Sequence, residues 1–243
     1  MNRTSNSKLY GMQKNLFCFA ICLLLFACKT PMKTSKEHIE IISLFNGENL
    51  DMWRGDSRIW SVEDGCIVGR TTDENQIDKN TFLIYENPFS DFELSFKYKI
   101  IGGNSGVQYR AKVIDEDMFI VGGYQADMEA GIQHSGILYE EKGRGILAKR
   151  GEAVVVDEEG HKSVNQFANS ESIQKNIKSE QWNIYRIVAN GDHLQHFING
   201  HKTIDVIDKE IEKKSASGII ALQVHKGPNM EVFYKDIKIK NKP

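Results

Sequence analysis

The run GGYQADMEAG, residues 122–131, places two acids and an amide at alternate positions. Extended as a β-strand, it sets Gln125, Asp127 and Glu129 on one face and Tyr124, Ala126 and Met128 on the other. Two other stretches repeat the pattern. In GVQYR, Gln108 and Arg110 share a face opposite Val107 and Tyr109. In GIIALQVH, Gln223 and His225 share a face opposite Leu222 and Val224. If the three strands lie in one sheet, these polar side chains converge on one surface. Such a surface offers the fixed donors and acceptors that sugar hydroxyls need. It also offers bases and acids for proton transfer: Asp127, Glu129 and His225. A plain solvated sheet face, with cross-strand Arg–Asp pairs, has the same alternation.

Two features surround these strands. Glycines are dense there, among them Gly102, Gly103, Gly106, Gly122 and Gly123, which suggests bends and close backbone approach. The stretch LYEEKGRGILAKR, residues 138–150, adds Tyr139, Glu140, Glu141, Arg144, Lys149 and Arg150. It is either a solvated hairpin loop or a rim over a ligand. Asp127 and His225 are compatible with holding a divalent metal ion, although the sequence has no dense ligand motif.

Positioning such residues requires strands, and strand patterns dominate. FELSFKYKI (92–100) alternates apolar and polar residues, as a half-buried antiparallel strand does. IWSVEDGCIVGR predicts a hairpin turning at Asp64-Gly65, and HLQHFINGHKTIDVI one turning at Asn199-Gly200, a pair suited to a type I′ turn. GVQYRA, EAVVVD, NIYRIVA, GIIALQV and EVFYKDIKIK supply more strands. Short helices are expected only in SESIQKNIK and DKEIEKK. A dozen or so strands in one domain mean an all-β sandwich or barrel.

The first 27 residues differ from the rest. Arg3, Lys8 and Lys14 precede an apolar run, LFCFAICLLLFA, too short to span a bilayer comfortably but suited to a signal-peptide core. It ends in Leu25-Phe26-Ala27-Cys28, similar to the bacterial lipobox. The expectation is a signal peptide over 1–27, lipidation at Cys28, a polar tether over 28–40 and one domain over 41–243. The product is then an exported lipoprotein, periplasmic or outer-membrane anchored, touching membrane only through its lipid. Cys66 is the one cysteine left in the domain, so no internal disulfide forms. A net charge of −2, with lysines and arginines scattered, gives no support to nucleic-acid binding.

Several segments together resemble the bacterial 3-keto-disaccharide hydrolase domain family. They are SLFNGENLDMW (43–53), WSVEDGCIVG (60–69), DFELSFKYKIIGGNSGVQYR (91–110), GYQADM (123–128), GILYEEKGRGILA (136–148), HFINGHKT (196–203) and GIIALQVHKGPNMEVFYKDIKIK (218–240). The resemblance implies a concanavalin-like jelly-roll sandwich of two antiparallel sheets. It implies an exported enzyme that cleaves glycosides whose sugar carries a ketone at C3. It marks residues 104–110, 123–127 and 222–225 as lining the site.

That chemistry needs a base for the acidified C2 hydrogen, a stabiliser for the enolate and an acid for the leaving oxygen. Asp127, Glu129 and His225 are candidates for base and acid. Arg110, Arg144 or a metal is the candidate enolate holder. Asn104, Gln108, Gln125, Tyr139, Arg144 and Gln223 are candidate substrate contacts. Two other functions remain open. A retaining glucanase would want an acid-x-acid-x-x-acid strand, and position 125 is Gln. A lectin-like module of the cell envelope would need no base at all.

Overall fold

The computed structural model describes residues 40–242. The expected signal peptide, the lipidation site and nearly all of the tether lie outside the described residues. In chain order the strands are β1 (Ile41–Ser43), β2 (Trp53–Arg54), β3 (Trp60–Glu63), β4 (Cys66–Thr71), β5 (Thr81–Phe89), β6 (Phe92–Ile101), β7 (Asn104–Asp115), β8 (Ile120–Glu129), β9 (Leu138–Glu141), β10 (Gly145–Ala148), β11 (Glu152–Val156) and β12 (Lys162–Gln166). A five-residue helix, α1 (Ser170–Gln174), precedes β13 (Asn183–Asn190), β14 (His193–Ile198), β15 (His201–Asp208), β16 (Gly218–Val224) and β17 (Met230–Asn241).

The strands form two sheets of a jelly-roll sandwich. The ten-stranded sheet runs β12-β11-β15-β14-β13-β6-β17-β4-β3, with β1 also paired to β17. The seven-stranded sheet runs β10-β9-β8-β7-β16-β5-β2. Pairing is antiparallel except between β11 and β15. The alternation in β6 works as its residues dictate: Phe92, Leu94, Phe96, Tyr98 and Ile100 are buried. Facing them from the seven-stranded sheet are Val107, Tyr109, Tyr124, Ala126, Met128, Leu222 and Val224, all in one core. Both expected hairpins form. Asp64 and Gly65, like Asn199 and Gly200, take positive φ in tight turns.

One local expectation needs correction, and two strands were not foreseen. DKEIEKK makes a turn over 211–213 rather than a helix. The carboxylate of Glu210 is drawn to Arg144 and Lys213, which fixes the segment from its side. The strand β5 is invisible to a period-2 search because residues 81–85 are buried in succession, covered on both faces. The second cover is a small cluster of Phe82, Ile84, Ala111, Val121 and Ala221 on the outer side of the seven-stranded sheet. The edge strand β12 is exposed throughout and has no apolar face to announce it.

Candidate active site

The polar faces of β7, β8 and β16 do meet, because the register aligns them. Gln108 lies opposite Gln125, Gly106 opposite Asp127 and Asn104 opposite Glu129. On the other side of β8, Gln125 lies opposite Tyr139 of β9. The three glutamines form a buried amide layer across three strands. Gln125 Oε1 accepts from Gln223 Nε2 at 3.1 Å and also from Gln108 Nε2. Gly106 is required here, since a Cβ at that position would stand 2.5 Å from Gln125 Cγ. The bonds between the amides offset much of the cost of burying them and fix the floor, while Gln108 Oε1 is buried without a partner.

Above this layer lies a cleft of about 490 Å³. Its polar lining includes Asn80, Asn104, Gln125, Asp127, Glu129, His134, Tyr139, Glu141, His225 and Lys226, and Ile137, Ile146 and Pro228 add apolar wall. Asp127 sits in its floor, 5% exposed. Its Oδ1 accepts from Asn104 Nδ2 and Gln125 Nε2, each at 3.1 Å. Burial outweighs both donors and pushes the Asp127 carboxyl up to about 7. A carboxyl so tuned is a base at neutral pH.

Glu129 is differently employed. Its Oε1 accepts from the backbone N–H groups of Gln133 and His134, and its Oε2 pairs with His134 Nδ1 at 3.0 Å. Burial acts to raise it, but the His134 N–H, the His134 ring and the Gln133 N–H together hold it below the usual carboxylate range. Glu129 therefore ties down the 130–134 turn. Tyr139 is raised by burial and by the nearby Glu141 and Asp127 charges, so its hydroxyl stays protonated. The Nδ1–H of His225 donates to the Lys226 carbonyl.

The structure separates other predicted residues from the cleft. Arg110 sits at a bulge with φ +46°, and the alternation fails there. Its side chain, 2% exposed, pairs with Asp91 at 2.7 Å and donates to the carbonyls of Ser90, Gly191 and Ser215. It clamps chain turns together and does not line the Asp127 cleft. Arg144 is likewise committed, binding Glu140, Asp208 and Glu210 at 2.5–2.8 Å. Gln108 and Gln223 are fully buried beneath the cleft, supporting Gln125 rather than lining the surface. In exchange the structure adds Asn80, His134, Lys226 and Pro228, which come from loops and strand ends where no periodic signal exists. Glu141 joins them from the stretch read as either a solvated loop or a rim, opposite Gly123.

Among the described residues, the group of three whose ligand atoms converge, within 4.8 Å, is Asp157, Glu159 and His161 in the β11–β12 turn. None of the three lines the cleft. Asp157 there accepts the backbone N–H groups of Glu159 and His161, an arrangement that closes the turn by itself.

The sequence matches the family model of the 3-keto-alpha-glucoside-1,2-lyase-like domain over residues 40–240. The chain belongs to this family. Membership makes the 3-keto-alpha-glucoside-1,2-lyase-like domain a carbohydrate-acting one, and hydrolase- or lyase-type activity is within its class. No curated protein matches the sequence. Solved structures share the fold at low identity. A Parabacteroides distasonis protein titled "putative glycosyl hydrolase" is 21% identical, covering 84% of this chain and 100% of its own, with a TM-score of 0.53. The carbohydrate-binding module CBM66 of Bacillus subtilis is 16% identical, covering 77% and 94%, with a TM-score of 0.50. A Bacillus subtilis protein of galectin-like fold is 10% identical, covering 83% and 94%, with a TM-score of 0.54.

Proposed function

We propose that the domain cleaves 3-keto-glycosides by removing the C2 proton with Asp127. The C3 ketone acidifies that hydrogen. As the C2–H bond breaks, its electrons form a C1=C2 double bond, and the C1–O bond breaks with its electron pair going to the leaving oxygen. Water added across the new double bond gives net hydrolysis. The observation that carries this reading is a carboxyl pushed up to about 7 in the floor of a polar cleft, with only two amide donors on one of its oxygens. Tyr139, kept protonated, donates to the leaving oxygen. Lys226 and His225, at the end of β16, supply donors for the oxygen at C3. This replaces Arg110 and Arg144 in that role. Gln125 spends both ends of its amide inside the protein, which argues against the acid-x-acid arrangement of a retaining glucanase.

The test is turnover by Asp127→Asn. The amide keeps an acceptor for Asn104 and Gln125 but cannot take a proton. We expect turnover of 3-keto-trehalose to fall by about 10²–10⁴ with substrate binding retained. Near-normal turnover by this variant would remove Asp127 from the reaction. We also propose export as a lipoprotein, supported by the sequence pattern up to Cys28.

A further inference from the structure

A second cleft, of about 460 Å³, opens beside the first. Glu141 lines both, so the two abut along the β8–β9 pair. Gly122 and Gly123 leave β8 without side chains at this point, and bare backbone forms part of the floor. The walls carry Lys112, Lys142, Glu212 and Ser217. Other charges at its margin are already committed: Arg110 to Asp91, Lys213 to Glu210 and Lys214 to Asp192. Lys112 forms no ion pair among the described residues, and Lys142 reaches Glu141 only at 3.7 Å. Free ammonium, carboxylate and hydroxyl groups with open backbone make a mixed set of donors and acceptors without large net charge. That set matches a polyhydroxyl chain and not an apolar group. Along β8, Gly123 and Asp127 are four residues apart, or about 13 Å at strand rise, more than one sugar ring occupies.

We propose that the second cleft is the leaving-group subsite, and that the substrate carries an oligosaccharide leaving group which runs from Asp127 past Glu141 toward Lys112. The proposal rests on the reading of Asp127 as the base. Lys112, Lys142 and Ser217 hydrogen-bond the distal sugar hydroxyls, and Glu141 stands where the two clefts meet.

Calorimetric binding to the Asp127→Asn protein tests this without turnover. The probes are methyl 3-keto-α-glucoside and the same keto sugar linked to a gluco-trisaccharide. The longer probe should bind at least about tenfold tighter. Adding Ser217→Trp, which fills the second cleft, or Lys112→Ala should abolish the gain and leave the methyl glycoside's affinity unchanged. Equal affinity for both probes, no binding of either, or a gain that survives both substitutions overturns the subsite. Turnover of the methyl glycoside by wild type judges the base separately. Cleavage without a length-dependent gain keeps the base and sinks the subsite. A gain without cleavage of either probe sinks the base and overturns the leaving-group assignment with it, leaving the second cleft a sugar-binding surface only.

Discussion

Asp127 holds a proton in the folded state that it would lose in the unfolded chain. Its carboxyl titrates near 7 instead of the ordinary 3.8, with burial as the main cause. Below about pH 4 the group is neutral in both states and burial carries no penalty. As pH rises from there to 7, the unfolded chain ionises freely while the folded one resists, so stability falls. Above 7 the loss is complete, on the order of 4 kcal/mol at most at 1.36 kcal/mol per pKa unit. Asp127→Asn removes this term. The variant should match wild type in denaturant melts near pH 4 and exceed it increasingly toward pH 8. A constant difference at all pH values would show that Asp127 is not shifted. If Asp127 is the proposed base, kcat/KM of the wild-type protein on a 3-keto-glycoside should rise through about pH 7 as it ionises. Nothing in the residue pattern hints at this, because the alternation puts Asp127 on a phase that is usually solvent-facing. The segment after β8 folds back on it, with the Asp127 N–H donating to the Ile137 carbonyl and the Asp127 carbonyl accepting from Gly136, a contact no alternation records.

The elements around the site differ in what they spend on it. Glu129 ends β8 and organises the turn that follows. Replacing it with Gln removes charge-assisted bonds to two backbone N–H groups and weakens the tie to His134, at a cost of about 1.5–3 kcal/mol at pH 7. Because its folded pKa is lowered, the cost should shrink as pH falls through that pKa, which acid denaturation curves of the two proteins would record. Arg144 sits among Glu140, Asp208 and Glu210, with Tyr124 also donating to Asp208 at 2.5 Å. Arg144→Gln leaves three carboxylates without their shared cation and should destabilise by about 3–5 kcal/mol. Substrate affinity per folded molecule should be unaltered; a selective rise in KM at full stability would restore Arg144 to the site. The period-2 pattern made β6, β8, β13 and both hairpins legible, and with them Gln125 and Asp127 as neighbours on one face, whereas Asn104 came from the family resemblance and Tyr139 from a stretch read as loop or rim. Arg110 and β5 were not legible for one reason in two forms. A bulge breaks the alternation after Tyr109, and a doubly covered strand never has it. Asn80 and Lys226 come from connections, where register rather than periodicity decides what meets what.

At the scale of the molecule, the sandwich displays its cleft on the outer face of the smaller sheet, leaving the larger sheet's outer face free of it. The proposed anchor predicts that Cys28→Ala shifts the protein out of the membrane fraction or leaves it unprocessed, as fractionation and gel mobility would show. Unchanged fractionation and mobility would dismiss lipidation. The pairing of β1 with β17 reaches further than stability. Ile41 faces Lys240 across a single strand spacing, so the folded domain begins and ends at the same place. Its backbone is in effect a ring cut at one point, and the cut is a matter of genetics more than of packing. Joining those ends through a short linker and opening the chain instead at the exposed Glu158–Glu159 turn should yield the same sandwich in a new order. The cleft would not register the change, because β7, β8, β9 and β16 keep their neighbours wherever the ring is opened outside them.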